Sequence, residues 1–121
     1  MNSKIIFIFC VIILVFAFLL LDWGKQDAGN SENALDTLAK CLASKKVVMY
    51  GAEWCSHCQN EKKAFGESFK FINYVECPQN PKQCLDADIG DYPTWILGDG
   101  RKLVGEQGLI KLSRESGCPL P

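Results

Sequence analysis

Two cysteines separated by two residues are the part of this sequence best suited to chemistry. Cys55 and Cys58 stand in the run WCSHC at residues 54–58. A thiol that exchanges disulfides must form a thiolate, must be reachable, and needs a second thiol to resolve the mixed disulfide. At a helix start, unpaired N–H groups and the helix dipole stabilise a negative charge on the first cysteine. The spacing therefore predicts thiol–disulfide exchange, with Cys55 attacking and Cys58 resolving.

His57 lies between the two cysteines and is the only histidine of the chain. A protonated or hydrogen-bonding imidazole there would further favour the Cys55 thiolate, so we expect His57 to tune the redox potential. A zinc site and a purely structural disulfide are the alternative interpretations. Zinc sites usually combine two closely spaced ligand pairs, whereas Cys77 and Cys84 are widely spaced. We therefore predict no metal, and no cofactor beyond the redox-active disulfide.

Local patterns predict the elements that position this motif. Leu35, Leu38, Ala39 and Leu42 recur at helical spacing after Ser31. Asp99-Gly100 between two short apolar runs is a strong hairpin signal. The predicted order is a helix from 31, a strand at 46–51, a helix at 55–69, a strand at 71–76, a Pro-rich loop or single turn at 77–84, strands at 94–97 and 102–104, and a helix at 108–116. Strands separated by helices indicate a parallel βαβ unit, so the fold class is α/β with a central mixed sheet.

The first segment of the chain predicts a membrane anchor. Residues 5–21 are all apolar, with Lys4 before them and Asp22 after them. The charge pattern places the N-terminus in the cytoplasm and the C-terminal domain outside. A cleaved signal peptide is the alternative, although no A-x-A-like site follows the run. We expect a single-pass transmembrane helix in the cell membrane at 1–21, a linker at 22–30 and an extracytoplasmic domain at 31–121.

Composition supports that compartment and excludes one class of partner. The chain of 121 residues has seven cysteines and a formal net charge of −1. So many cysteines in a short chain indicate either oxidation outside the cytosol or metal binding. A near-neutral charge gives no basic face for nucleic acid, and we expect no nucleic-acid partner.

The motif and its surroundings resemble the active site of the thioredoxin superfamily. The run GAEWCSHC at 51–58 follows a predicted strand and opens a predicted helix, and YPTW at 92–95 stands where that superfamily has its cis-proline loop. The resemblance implies a thioredoxin-like fold, a cis Pro93 beside Cys55, and a backbone at Tyr92 that pairs with bound peptide. Trp54 belongs to the same motif and is expected to tune the active site.

A closer resemblance is to the thioredoxin-like domain associated with bacterial vitamin K epoxide reductase homologues. It is carried by MYGA at 49–52, HCQ at 57–59, KKAFG at 62–66, YVEC at 74–77, Cys84 and YPTW at 92–95. That family passes electrons from folding secreted proteins to a membrane quinone reductase. The resemblance implies an enzyme that oxidises or isomerises cysteines of exported proteins and is re-oxidised by a vitamin K epoxide reductase-like partner. A membrane-anchored reductant and a non-enzymatic, disulfide-stapled binding module remain alternatives.

The sequence also departs from ordinary thioredoxins. Their buried Asp, six residues before the first motif cysteine, is Met49 here. Their helix-kinking proline after the second cysteine is Lys63, and the domain begins directly with a helix. We therefore expect a truncated thioredoxin-like fold, in which fast general disulfide reduction is disfavoured.

Four further cysteines are expected to form two structural disulfides. Cys77 and Cys84 bracket a short Pro-bearing loop, so their closure costs little chain entropy. Thioredoxin topology brings the end of the last helix, and with it Cys118, near Cys41. Unpaired Cys41 and Cys118, and a second redox pair formed by Cys77 and Cys84, are the alternatives.

Overall fold

The structure, a computed structural model, describes residues 2–21 and 28–120. Two compact units divide the chain, Met1–Ser31 and Glu32–Pro121. Of the predicted linker at 22–30, residues 22–27 lie outside the described part. Residues 28–30 already belong to a helix, so the helix that the sequence predicts from Ser31 begins three residues earlier.

The first unit contains helix α1, Ser3–Leu21. The side chains described in it, at residues 2–18, are exposed. Among the described residues we find no helix long and apolar enough to cross a membrane. The transmembrane span predicted at 1–21 is therefore not supported.

A four-stranded mixed sheet forms the centre of the second unit, with strand order β2-β1-β3-β4. Its strands are β1 (Val48–Gly51), β2 (Asn73–Glu76), β3 (Thr94–Ile96) and β4 (Lys102–Val104). β1 pairs in parallel with β2, and β3 pairs antiparallel with both β1 and β4. The parallel βαβ unit and the hairpin predicted from the sequence are both present.

Helices flank this sheet. They are α2 (Ala28–Ser44), α3 (Ser56–Phe65) with a 3₁₀ segment at Gly66–Phe71, α4 (Pro81–Asp86) and α5 (Gly108–Ser116). α3 is shorter than predicted because Gly66, with φ 54°, ends it. The Pro-rich segment at 77–84, predicted as a loop or single turn, contains the start of α4. Pro81 favours this helix because its fixed φ suits the first position and its missing N–H would have no partner there.

Alternation along β1 divides the core into two clusters. Met49 packs with Trp95 of β3 and with apolar side chains of α2, α3 and α5, and this cluster is the larger. Tyr50 points to the other face and packs with Val75, Cys77 and Cys84. Because α3 lies over the Met49 face, the motif at its start is fixed to a buried sheet.

Two disulfides lie within this unit. Cys41 of α2 bonds to Cys118 after α5, with Cα atoms 5.8 Å apart. Cys77 bonds to Cys84, with Cα atoms 5.7 Å apart. These are the two pairs that the sequence predicts. Cys55 and Cys58 are free thiols.

Candidate active site

Cys55 occupies the N-cap of α3, the position where a helix offers unpaired N–H groups. Its backbone is extended, with φ −78° and ψ 118°, and its Sγ accepts a hydrogen bond from the Cys58 N–H at 3.3 Å. The Gln59 N–H donates to the Cys55 carbonyl at 3.0 Å. A thiolate at this position therefore has a backbone donor and the positive end of the helix dipole beside it.

The two thiols differ in exposure. Cys55 keeps 8% of its surface exposed, whereas Cys58 is fully buried. Burial, followed by the hydrogen bond with Cys55, raises the pKa of the Cys58 thiol to about 12. Of the two, only Cys55 is open to an approaching disulfide, which supports its role as the attacking sulfur.

The loop that carries Pro93 borders the motif. The Tyr92–Pro93 peptide bond is cis. The Cys55 thiol donates to the Tyr92 carbonyl at 3.7 Å, and the Trp54 ring stands edge-on to the Tyr92 ring with centroids 6.0 Å apart. The sequence-predicted residues Trp54, Tyr92 and Pro93 thus lie around Cys55.

His57 has a carboxylate partner that sequence reasoning missed. Its Nδ1 lies 2.8 Å from Oε2 of Glu106, which also accepts from the Asn60 amide at 3.1 Å. The hydrogen bond from His57, and then that from Asn60, holds the pKa of the Glu106 carboxyl below its ordinary value. Glu106 is therefore charged at neutral pH and orients the imidazole beside the cysteines.

Gly51 makes room for the resolving thiol. A Cβ at this position would lie 2.8 Å from Cys58 Sγ and 3.4 Å from Tyr74 Cε2. The Tyr74 hydroxyl donates to Oε2 of Glu76, whose Oε1 accepts from the Glu53 N–H at 2.9 Å. Burial, and then the hydrogen bond to Glu76, raises the pKa of Tyr74 above its ordinary value. The Tyr74 ring and the buried sulfur thus both lie next to Gly51.

A buried carboxylate joins the motif helix to α5. Glu61 of α3 is 1% exposed, and its Oε1 accepts from the N–H groups of Gln107 and Gly108, the latter at 3.0 Å. Its Oε2 has no partner among the described residues. Because the acceptor meets the first N–H groups of α5, Glu61 fixes the position of that helix against α3.

Among the described residues, no group of three or more His, Cys, Asp or Glu side chains could hold a metal ion. The structure brings Cys55, Cys58 and His57 together with Trp54, Tyr92 and Pro93. It keeps Cys77–Cys84 and Cys41–Cys118 in separate disulfides. Sequence reasoning missed Glu106, Lys62 and Glu76 as neighbours of the motif. Only Lys62, four residues after Cys58, carried a signal, since i and i+4 share a helix face.

Comparison with known proteins gives sequence relatives, of which two illustrate the likeness. The chain is 46% identical over 92 residues to the thiol-disulfide oxidoreductase LTO1 of Arabidopsis thaliana, covering 69% of this chain and 24% of that protein. It is 34% identical over 88 residues to the thioredoxin domain-containing protein 5 homolog of Drosophila melanogaster, covering 64% of this chain and 21% of that protein. The chain thus spans less than a quarter of these relatives' length.

Comparison with solved structures gives a thioredoxin. The chain has a TM-score of 0.46 and 22% identity to Fasciola hepatica thioredoxin, covering 59% of this chain and 76% of that one. No protein-family model matches the chain. The two sequence relatives support a thioredoxin-like thiol–disulfide oxidoreductase.

Proposed function

We propose that this chain is an extracytoplasmic thiol–disulfide oxidoreductase that oxidises or isomerises cysteines of exported proteins through Cys55 and Cys58. Two relatives whose names describe a thiol-disulfide oxidoreductase and a thioredoxin-domain protein support the chemistry. The observation that carries the proposal is the asymmetry of the pair. Cys55 caps α3 and keeps some exposure, while Cys58 is buried directly behind it.

The proposed oxidation is a two-step exchange. A substrate thiolate attacks Cys55 Sγ of the Cys55–Cys58 disulfide, so that a mixed disulfide forms and Cys58 leaves as a thiolate, which then takes up a proton. A second thiolate of the same substrate then attacks the substrate sulfur that is bonded to Cys55. Cys55 is released as a thiolate and takes up a proton. The substrate gains one disulfide and loses two electrons and two protons, which the Cys55–Cys58 pair takes up. Isomerisation uses the same mixed disulfide without net electron transfer.

Substrate binding is assigned to the loop beside Cys55. The Tyr92 carbonyl already accepts from the Cys55 thiol, and Trp54, 72% exposed, stands over the same loop. Exposed aromatic side chains supply contact area at a small cost in conformational entropy. A peptide that lies along Tyr92 would bring its sulfur to Cys55.

The compartment is proposed from the disulfides and the first helix. Stable structural disulfides persist in oxidising compartments, and this domain has two besides the active pair. We propose that α1, whose side chains at residues 5–18 are apolar and exposed, attaches the protein to the cell membrane with the domain outside. We further propose a vitamin K epoxide reductase-like membrane partner, which would return Cys55 and Cys58 to the disulfide.

The function is tested with the purified full-length chain. We expect it to oxidise reduced, unfolded ribonuclease in a glutathione buffer, and Cys55→Ser to abolish this activity. Cys58→Ser should instead accumulate mixed disulfides, because the resolving sulfur is gone. Cys10→Ser, which removes the free thiol of α1, is the matched control and should behave as wild type. Exchange that survives in Cys55→Ser would contradict the assignment of Cys55 as the attacking thiol. Net reduction of substrate disulfides by the chain would favour the alternative in which it is a membrane-anchored reductant.

Localisation requires a separate experiment. We expect the chain to stay in the membrane fraction after alkaline carbonate extraction, and the domain to be accessible to an added protease only from the extracytoplasmic side. A variant without residues 2–21 should be released from the membrane. Recovery of the full-length chain in the soluble fraction would contradict the proposed attachment.

A further inference from the structure

The buried resolving thiol has no acid at the position six residues before Cys55. Cys58 must be a thiolate whenever it attacks or leaves, yet it is fully buried. The position six residues before Cys55 is Met49, which cannot exchange a proton. Across the parallel pair Met49 stands opposite Tyr74, and Gly51 stands opposite Glu76. Side chains of α3, which carries Cys58, and of β2, whose Tyr74 lies near Gly51, can influence this thiol.

Lys62 is the cation placed to do so. It follows Cys58 by four residues in α3, so both lie on the same face of the helix. Its Nζ lies 4.0 Å from the centroid of the Tyr74 ring and 5.7 Å from that of Phe69. Both distances are within the range of a cation–π contact, and they hold the ammonium on the side of α3 that faces β2.

The ring below Lys62 is itself fixed close to the buried sulfur. Tyr74 Cε2 and Cys58 Sγ both lie near the position that a Cβ at residue 51 would occupy, at 3.4 Å and 2.8 Å. The Tyr74 hydroxyl is bonded to Glu76, and Glu76 accepts from the Glu53 N–H. A chain of contacts therefore determines where the Lys62 ammonium sits relative to Cys58.

We propose that Lys62 is a positioning residue for disulfide exchange, whose ammonium, held over the Tyr74 ring, stabilises the Cys58 thiolate when that sulfur leaves or attacks. This inference rests on the proposed function, since it names a residue that serves the same exchange. In oxidation of a substrate the Cys55–Cys58 bond breaks, its electron pair goes to Cys58, and the thiolate then takes a proton from water. In the reverse direction Cys58 loses that proton and attacks Cys55.

The charged and titratable groups around Cys58 agree with this role. Cys55 acts on it from the N-cap, Lys62 from α3 and Tyr74 from β2. Glu61, three residues after Cys58 in α3, is bonded through Oε1 to the N–H groups of Gln107 and Gly108. Burial raises the pKa of Cys58, and the positive charge of Lys62 acts in the opposite direction. The Glu76 carboxylate would oppose a thiolate, but it is engaged by Tyr74 and by the Glu53 N–H.

A specific kinetic signature follows. With its pKa raised to about 12, reduced Cys58 is a neutral thiol near pH 7. Stabilising its thiolate therefore changes the rate of bond breaking and leaves the equilibrium between disulfide and dithiol unchanged. In thiol–disulfide exchange, a leaving group whose thiol has a lower pKa departs faster. Loss of Lys62 should slow exchange without shifting the reduction potential at pH 7.

The test compares Lys62→Met with Lys63→Met in the full-length chain. Lys63 is the next residue of α3 and is exposed, so its replacement makes the same change in net charge. The oxidised protein is mixed with excess dithiothreitol, and its reduction is followed by tryptophan fluorescence in stopped flow. We expect Lys62→Met to be reduced about 3- to 10-fold more slowly, as a shift of about one to two pKa units in a participating thiol would give. Lys63→Met should match wild type.

A further variant separates the charge from packing. Lys62→Arg keeps a cation and should restore most of the rate. The potential of Lys62→Met, measured against glutathione at pH 7, should equal that of wild type. Equal rates in Lys62→Met and Lys63→Met, or a slow rate that Lys62→Arg does not restore, would overturn the inference. A wild-type chain that does not exchange at all would overturn the proposed function instead.

Discussion

Nδ1 of His57 lies 2.8 Å from Oε2 of Glu106, although the two residues are 49 positions apart. His57 belongs to the motif between the two cysteines, and Glu106 lies in the segment between β4 and α5. The same segment is bonded to the proline loop, because the Gly105 N–H donates to the Pro93 carbonyl at 2.8 Å. The fold therefore supplies the histidine with a partner from the opposite side of the site.

The first prediction concerns this pair. His57→Ala should make the protein less oxidising, and the change should be small, on the order of 10 mV, because the imidazole near Cys55 is exposed to solvent. Glu106→Gln should change the potential in the same direction by less, since the carboxylate acts through the imidazole. Equilibration with glutathione buffers measures both potentials.

The control for this prediction is a double-mutant cycle. Glu106→Gln should have no further effect in the His57→Ala background, and Glu67→Gln should have no effect in either background. Because the pKa of Glu106 is lowered, its charge persists at neutral pH and is lost as pH falls below the ordinary value of 4.5. An effect of Glu106→Gln that persists without His57 would show that the pair is not coupled.

The second prediction concerns alkaline stability of the reduced form. The pKa of Cys58 is raised by burial from 9.0 to about 12. Above pH 9 this thiol ionises in the unfolded chain but not in the folded chain. The contribution of Cys58 to the free energy of unfolding is therefore fully present below pH 9 and is lost as pH rises towards 12. Urea unfolding at pH 8 and at pH 10.5 should show this loss in reduced wild type.

Two comparisons isolate the contribution of Cys58. Cys58→Ser should lose less stability than reduced wild type over the same range, since it has no thiol to ionise. The oxidised protein should also lose less. Some loss should remain in Cys58→Ser, because burial also raises the pKa of Tyr74. Identical losses in wild type and Cys58→Ser would contradict the prediction.

The third prediction concerns the close approach at Gly51. Gly51→Ala would place a methyl group 2.8 Å from Cys58 Sγ, so the sulfur or the helix must move. We expect a loss of about 1–3 kcal/mol in the free energy of unfolding, the usual cost of overpacking, and slower disulfide exchange. Gly90→Ala is the matched control because nothing lies within 4 Å of its added Cβ. Normal stability and exchange in Gly51→Ala would show that the site tolerates the methyl group.

The fourth prediction compares the two structural disulfides. The Cys41–Cys118 bond joins residues 77 positions apart, and the Cys77–Cys84 bond joins residues 7 apart. Chain entropy assigns about 4–5 kcal/mol to the long loop and about 2–3 kcal/mol to the short one. Paired Cys→Ala variants, compared by urea unfolding, should follow that order.

Activity separates the structural role of these bonds from a redox role. Both paired variants should keep exchange activity under conditions in which they are folded, since neither disulfide belongs to the pair at the start of α3. Loss of exchange in folded Cys77→Ala/Cys84→Ala would favour the alternative in which these two cysteines relay electrons.

The sequence by itself determined the local parts of this protein. The Cys55–Cys58 spacing, the hairpin at Asp99-Gly100 and the short-range Cys77–Cys84 pair depend on residues a few positions apart, and such signals survive in any tertiary context. Where local signals compete, the sequence is less informative. The prolines at 77–84 predict a loop or a single turn, whereas Pro81 stands at the start of α4, where a proline is favoured.

Tertiary structure alone decided which side chains surround the cysteines. Glu106 meets His57, and Tyr74 lies beside Cys58, because strand register and helix packing join segments that are far apart in the chain. No sequence pattern states that register, since many pairings of β1 with β2 would satisfy the same alternation of apolar residues. The chemistry of the motif is thus encoded locally, while the electrostatic environment that tunes it is a property of the packed domain.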